Sequence, residues 1–257
     1  MKELFKQSGL NIKLDSDKLV YDEQVFEVEP KTRTYEDAKD VYLEKSAPNR
    51  DLYYMYRYFE AEKDAEIFES NKTEYDITVI LPGKIGPELI KTVGHYHADV
   101  PGTNITYPEV YEVIEGEITY LLQTMPDENN CVDVVIIEAK TGDKVVVPPG
   151  YGHISINRGK EVAVSSNIQR RDLPASANYD AFKETNGGAL YFTGDDWQEN
   201  YNYTVKSKKI VSPVPKPEWG VTKVRPLYKS FVENPEKFKW LTEPQNYDFS
   251  DVWEESL

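Results

Sequence analysis

Apolar and polar residues alternate through the middle of the chain with the period of a β-strand. From Tyr75 the alternation is sustained through YDITVILPG, ELIKTVGHYHA, EVYEVIEGEITYLLQT, CVDVVIIEA, DKVVVPPG, HISINRG and EVAVSSNIQ. Side chains two apart on a strand share a face, so such runs build sheets with one face turned to a core. The connectors are turn-formers: Pro82-Gly83, Pro101-Gly102, Glu115-Gly116, Asp127 to Asn130, Thr141-Gly142-Asp143 and Arg158-Gly159. Strands punctuated by Gly and Pro roughly every 8–12 residues predict an all-β sandwich or barrel. No long helical pattern alternates with them, which argues against a βαβ fold.

The flanks are less regular. Residues 1–33 read as an extended arm with short strands around Val25 to Val28. Thr34-Tyr35-Glu36-Asp37 has the form of a capping box, predicting a helix of two to three turns through Glu44. Leu52 to Phe59 reads as a strand, and Ala61 to Glu69 as a loop or a short helix. After Gln169 the pattern loosens into a loop, with a helical turn or two from Tyr179 to Thr185. Strands follow at 187–194 and 202–207. The proline-rich SPVPKPEWG (212–220) reads as a linker or surface strap. A short helix is expected within Leu227 to Trp240, and Trp219, Trp240 and Trp253 imply that the C-terminal segment docks on something. The expected organisation is an arm at 1–50, a barrel at 51–211 and a C-terminal extension at 212–257, packed on the barrel or on a partner.

Composition narrows the function. The 257 residues carry a formal net charge of -15, which argues against nucleic acid and anionic membranes as partners. A small phosphorylated substrate remains compatible, since it needs only a few local donors. The single cysteine, Cys131, leaves no internal disulfide framework. The first residues lack the apolar core of a signal peptide, and no apolar run is long enough for a membrane span, so a cytoplasmic location is expected.

The chain has three histidines, and all fall in two short segments: His95 and His97 in GHYH, and His153 in PPGYGH. On a strand, His95 and His97 would aim two imidazoles at one point. Glu109 opens the next strand. Glu112 is odd-spaced from Glu109 and so faces the other way, while Glu115 sits against the turn. Three imidazoles and a carboxylate suit one divalent transition metal such as Fe(II), Mn(II), Ni(II), Co(II) or Zn(II), and such a mixed set favours a catalytic or substrate-binding ion.

The two motifs, His-x-His…Glu-x6-Gly and Gly142-x5-Pro148-x-Gly150-x2-His153-x3-Asn157, resemble those of the cupin superfamily. That resemblance implies a jelly-roll β-barrel with a few short peripheral helices, and one metal held by His95, His97, Glu109 and His153. The stretch between His97 and Glu109 is longer than the family pattern, and an inserted loop at Pro101-Gly102 accounts for it. More specifically, DITVILPGKIG, KTVGHYHA, PEVYEVIEGE, LLQT, VVVPPGYGHISIN and ASANYD are similar in order and spacing to the cupin-type glucose-6-phosphate isomerases, best known from archaea.

The resemblance covers roughly residues 50–210. It implies a metal-dependent isomerase, with Fe(II) the favoured metal, that interconverts glucose 6-phosphate and fructose 6-phosphate. Glu109 would act as acid/base, Thr78, Thr92 and Gly94 would hold phosphate, and Tyr53, Tyr111 and Tyr179 would line the sugar site. Among Tyr53, Tyr54 and Tyr56 the register stays open. Archaeal members carry a further histidine just before the tyrosine matching Tyr179, where this chain has Ala177-Asn178. The segments outside the resemblance are expected to extend a homodimer interface. Three other readings remain: an isomerase of mannose 6-phosphate, a cupin dioxygenase, and a non-catalytic metal- or sugar-binding cupin.

Overall fold

The structure, a computed structural model, describes residues 1–22, 25–172, 179–194 and 196–255. Two large sheets face each other. The first has six antiparallel strands in the order Lys144–Val147, Glu109–Glu115, Ala163–Arg170, Thr73–Ile80, Asp51–Tyr56, Lys31–Thr34. The second runs Tyr151–Asn157, Glu117–Thr124, Cys131–Lys140, Thr204–Pro213, Trp253–Glu255. Its pairings are antiparallel except that of Cys131–Lys140 with Thr204–Pro213, which is parallel. The sheets are tied across the core by the hydroxyls of Tyr120 and Ser165, 2.8 Å apart. The all-β expectation holds, with short helices at the periphery.

Several local expectations need correction. Val25 makes only an isolated bridge to Ala61. The arm's strands lie earlier, at Lys2–Glu3, Ile12–Asp15 and Lys18–Tyr21, in a small sheet of their own. The Thr34 capping box forms with Asp37, but the helix spans only Tyr35–Ala38 before a 3-10 turn at Lys39–Val41. Tyr42 leaves the helix because its ring is buried and its hydroxyl exchanges hydrogen bonds with the Lys91 backbone. The strand expected at 202–207 runs on to Pro213, so the proline-rich stretch begins inside a sheet.

The segment expected to form a strand through ELIKTVGHYHA is mostly irregular. A strand exists at Glu88–Leu89, and beyond it the chain touches its neighbour through isolated bridges, Lys91 to Ile156 and His95 to His153. Gly94, at φ 83, lies in the left-handed region and interrupts the extended backbone. A side chain there would also meet Ile154 at 2.6 Å.

The outer face of the six-stranded sheet is covered by both ends of the chain. Tyr228 and Phe231, on the helix Leu227–Glu233, pack against Phe68, and Tyr228 also meets Tyr75. The Tyr228 hydroxyl donates to Asp64 at 2.9 Å and accepts from the Ala61 amide at 3.0 Å. Trp240 is fully buried and stacks on Trp219, so the C-terminal segment docks as its tryptophans suggested. The inner face of the same sheet is left for the cavity.

Candidate metal centre and its cavity

The His95–His153 bridge sets the two histidine segments side by side, with His95 N–H donating to the His153 carbonyl at 3.4 Å and the reverse bond at 3.1 Å. One donor atom from each of His95, His97, Glu109 and His153 lies within 4.8 Å of the others. The Nε2 atoms of His95 and His97 stand 3.1 Å apart. His97 Nδ1 is 2.9 Å from the Tyr107 carbonyl, which fixes the proton on Nδ1 and leaves the Nε2 lone pair facing the cluster. His153 Nε2 is 3.0 Å from a Glu109 oxygen but out of line for a hydrogen bond, and neither ring nitrogen of His153 has a hydrogen-bond partner among the described residues.

Buried imidazoles whose ring nitrogens converge beside a carboxylate are a donor set that a divalent transition metal would suit, so the residues present fit one. Burial, and then the neighbouring imidazoles, hold the His95 ring well below its ordinary pKa. Burial pushes the Glu109 carboxyl up, but the adjacent His153 and His97 rings outweigh it and hold the group well below the usual range.

The loop between His97 and Glu109 has its own task. It folds back on itself, with Val100 N–H donating to the Ile105 carbonyl and Tyr107 N–H to Ala98. That brings the Tyr107 carbonyl to His97 and the Thr106 hydroxyl to the Gly150 amide at 2.7 Å. Tyr96, between the two histidines, points away from the cluster. Its ring stacks on Phe182, and its hydroxyl accepts from Gln123 at 2.8 Å. Gln123 also accepts from the Ala189 amide, so the LLQT motif serves as a brace behind the histidines. Asn157 closes the second motif by donating to the Ile80 and Glu161 carbonyls.

The cluster opens into a cavity of about 530 Å³, mouth included. Its walls include all six residues expected to contact substrate: Thr78, Thr92, Gly94, Tyr53, Tyr111 and Tyr179. Tyr53 faces the cavity and accepts from the Val93 amide. The Tyr54 hydroxyl goes to Asp51 and Asp17, and that of Tyr56 to the Leu19 amide, on the opposite side of the strand. Tyr111 donates to Glu109 at 3.0 Å. The Tyr179 ring lies 5.2 Å from the His95 ring and 5.8 Å from the Arg33 guanidinium. Ala177-Asn178 lie outside the described residues.

Sequence reasoning missed Arg57, Ser155, Ser165, Asn167 and Gln169, which also line the cavity. The signal was there. In EVAVSSNIQ the polar residues Ser165, Asn167 and Gln169 recur with period two on the face of a strand that should be apolar if it met only a core.

Sheets that gather three imidazoles and a carboxylate at one cavity define the class, a β-sheet protein with a group that could hold a metal ion. A family model described as Glucose-6-phosphate isomerase (GPI) matches residues 32–207. The chain belongs to the glucose-6-phosphate isomerase family and is an isomerase of that family.

It is 31% identical over 158 residues to the glucose-6-phosphate isomerase of Thermococcus onnurineus, covering 59% of this chain and 74% of that protein. The enzyme of Pyrococcus furiosus is 32% identical over 129 residues, covering 50% of this chain and 58% of its own length. That of Sinorhizobium medicae is 30% identical over 132 residues, covering 50% and 56%. Among solved structures, oxalate decarboxylase from Bacillus subtilis aligns over 47% of this chain and 26% of its own at 18% identity and a TM-score of 0.33, a slight likeness.

Proposed function

We propose that the protein interconverts glucose 6-phosphate and fructose 6-phosphate with the help of one divalent transition metal, Fe(II) by preference, held by His95, His97, Glu109 and His153. The observation that carries this reading is the meeting of three imidazoles and one carboxylate at the end of a cavity whose walls hold many hydroxyls and amides beside the apolar Met55, Ile80 and Val93. An apolar pocket would suit the dioxygenase alternative better.

The reaction moves a hydrogen between C1 and C2, through an enediol or as a hydride, and a proton between O1 and O2. When bound, the metal would supply Lewis-acid polarisation of the carbonyl. Glu109, swung off the metal or holding it through one oxygen, is assigned the carbon-bound proton as acid/base in the enediol route, and Tyr111, hydrogen-bonded to it, orients the carboxylate. Thr78, Thr92 and the Gly94 amide are assigned to the phosphate, which they can hold without a basic cluster. Tyr53 and Tyr179 close the walls around the sugar.

The working unit is proposed to be a homodimer in the cytoplasm, serving glycolysis and gluconeogenesis. The short Lys31–Thr34 strand, an edge of the six-stranded sheet, offers a place to pair.

The test is a coupled assay from fructose 6-phosphate on chelated protein, with Fe(II), Mn(II), Ni(II), Co(II) and Zn(II) returned one at a time. Restoration of turnover by metal is expected. A folded, metal-loaded protein without turnover would remove the reading, and mannose 6-phosphate and oxygen uptake would be assayed next.

A further inference from the structure

The inner face of the six-stranded sheet is ruled into polar rows by its register. Thr78 lies opposite Met55 on one side and Ser165 on the other. In the next row Asp76 pairs with Asn167, and Asn167 with Tyr111. In the third, Glu74 pairs with Gln169, and Gln169 with Glu109. Rows on one face are about 6.6 Å apart along the strands, twice the rise per residue. The first row carries a residue assigned to phosphate and the third carries Glu109. A sugar chain lying between them crosses the middle row, whose Asn167 and Arg57 have no role in the proposal above.

Asn167 is 3% exposed and lines the cavity, and its Nδ2 has no hydrogen-bond partner among the described residues. A buried donor left unpaired is destabilising, so an acceptor belonging to a ligand is the natural complement. Arg57 also lines the cavity. Its Nη1 is held by the Asp76 carboxylate, which is fully buried and pinned in turn by the Tyr58 amide at 2.9 Å. Its Nη2 reaches Met55 Sδ at 3.7 Å, a weak acceptor. Both residues therefore present N–H donors to the same stretch of cavity.

We infer that Asn167 and the Asp76-held Arg57 form a subsite that receives the middle hydroxyls, those on C3 and C4, of an open-chain sugar phosphate stretched between the Thr78 row and Glu109. They are positioning residues that select polyol configuration. The inference rests on the isomerase reading and extends it to substrate choice.

The test is calorimetric titration of the metal-loaded protein with sorbitol 6-phosphate (an unreactive open-chain analogue), its 3,4-dideoxy counterpart and inorganic phosphate. The native protein should bind the full polyol at least about ten-fold tighter than the dideoxy compound, the effect of one to two hydrogen bonds. Asn167→Leu should lose most of that discrimination, keep its affinity for inorganic phosphate, and raise KM for fructose 6-phosphate more than it lowers kcat. Native protein that turns over fructose 6-phosphate but binds both polyols equally would overturn the subsite alone, and that comparison needs no variant to fold. Loss of inorganic phosphate binding in Arg57→Gln would overturn it too, by giving Arg57 to the phosphate. Native protein that neither binds these ligands nor turns over the sugar would remove the isomerase reading and the subsite together.

Discussion

Glu109 and Glu112 stand on one strand, each 1% exposed, and lead opposite lives. Glu109 faces the cavity, where its neighbours are imidazole nitrogens and a tyrosine hydroxyl. Glu112 faces outward, where one oxygen meets Lys144 Nζ at 2.8 Å and the other accepts the Leu227 amide at 2.6 Å. That second bond ties the start of the C-terminal helix Leu227–Glu233 to the sheet. Residue type and depth are the same, so the difference lies in the partners. The outer carboxylate is saturated by a fixed cation and a backbone donor. The inner one sits among imidazole nitrogens, in a group that could hold a metal ion. Burial alone therefore marks neither structure nor chemistry.

The largest effect expected from breaking this comparison is on turnover. Glu109→Gln should cost about 10²–10⁴-fold in kcat, the usual worth of a positioned acid/base, with the protein still folded by circular dichroism. Activity within a few-fold of native would reject Glu109 as the proton carrier.

The outer member should fail differently. Glu112→Gln weakens the contact that holds Lys144 Nζ to the strand, so it should cost stability and leave the chemistry alone. Urea unfolding would read this loss, and turnover per folded molecule should be unchanged. If Glu112→Gln damaged turnover as much as Glu109→Gln, the division of the strand into a chemical and a structural face would be wrong.

The pH dependence sharpens the same contrast. Burial pushes the Glu112 carboxyl up to about 7, although Lys144 and the Leu227 amide pull it down. The native state then keeps a proton that the unfolded chain releases near its ordinary value of 4.5. Between those two pH values the native protein binds more protons than the unfolded one, so this group's contribution to stability falls as pH rises, by at most about 1.4 kcal/mol per unit. The stability difference between native protein and Glu112→Gln, followed from pH 5 to 8, should shrink with that sign and level off above about 7. A difference that stayed flat from pH 5 to 8 would mean that Glu112 is ionised throughout.

The split between faces also explains what the sequence could say. Period-two alternation located most of the sheet strands, and two apart versus three apart separated Glu109 from Glu112. The family resemblance named the six expected cavity residues; strand parity accounts for the side on which Tyr53, Thr78 and Tyr111 stand, while Thr92 and Gly94 lie on irregular backbone and Tyr179 on a helix. Local pattern could not announce tertiary partners. Nothing near Tyr42 says that its hydroxyl will hold the Lys91 backbone and end a helix early. Nothing near Tyr107 says that its carbonyl will orient His97. The irregular backbone from Lys91 to His97 was hidden for the same reason. Its apolar spacing is strand-like, but Gly94 breaks the run.

The smallest effect tests how finely the inner face is set. Gly152 has ordinary backbone geometry, so its lack of a side chain matters for space. A Cβ there would lie 2.6 Å from the Tyr96 ring. That ring cannot yield easily, because it stacks on Phe182 at 5.1 Å and its hydroxyl is held by Gln123 and the Thr124 carbonyl. Tyr96 sits between His95 and His97, so any displacement passes to the two imidazoles. Gly152→Ala should therefore cost about 1–3 kcal/mol of stability by overpacking. It should also weaken metal binding in a competition titration against a chelator. Gly116→Ala provides the contrast, since its Cβ would meet Ala163 and not Tyr96. It should lose stability with metal affinity intact. Equal metal loss in both variants would mean that the inner face responds to general loosening of the sheet. Loss confined to Gly152→Ala would locate the constraint in the contact between Gly152 and Tyr96.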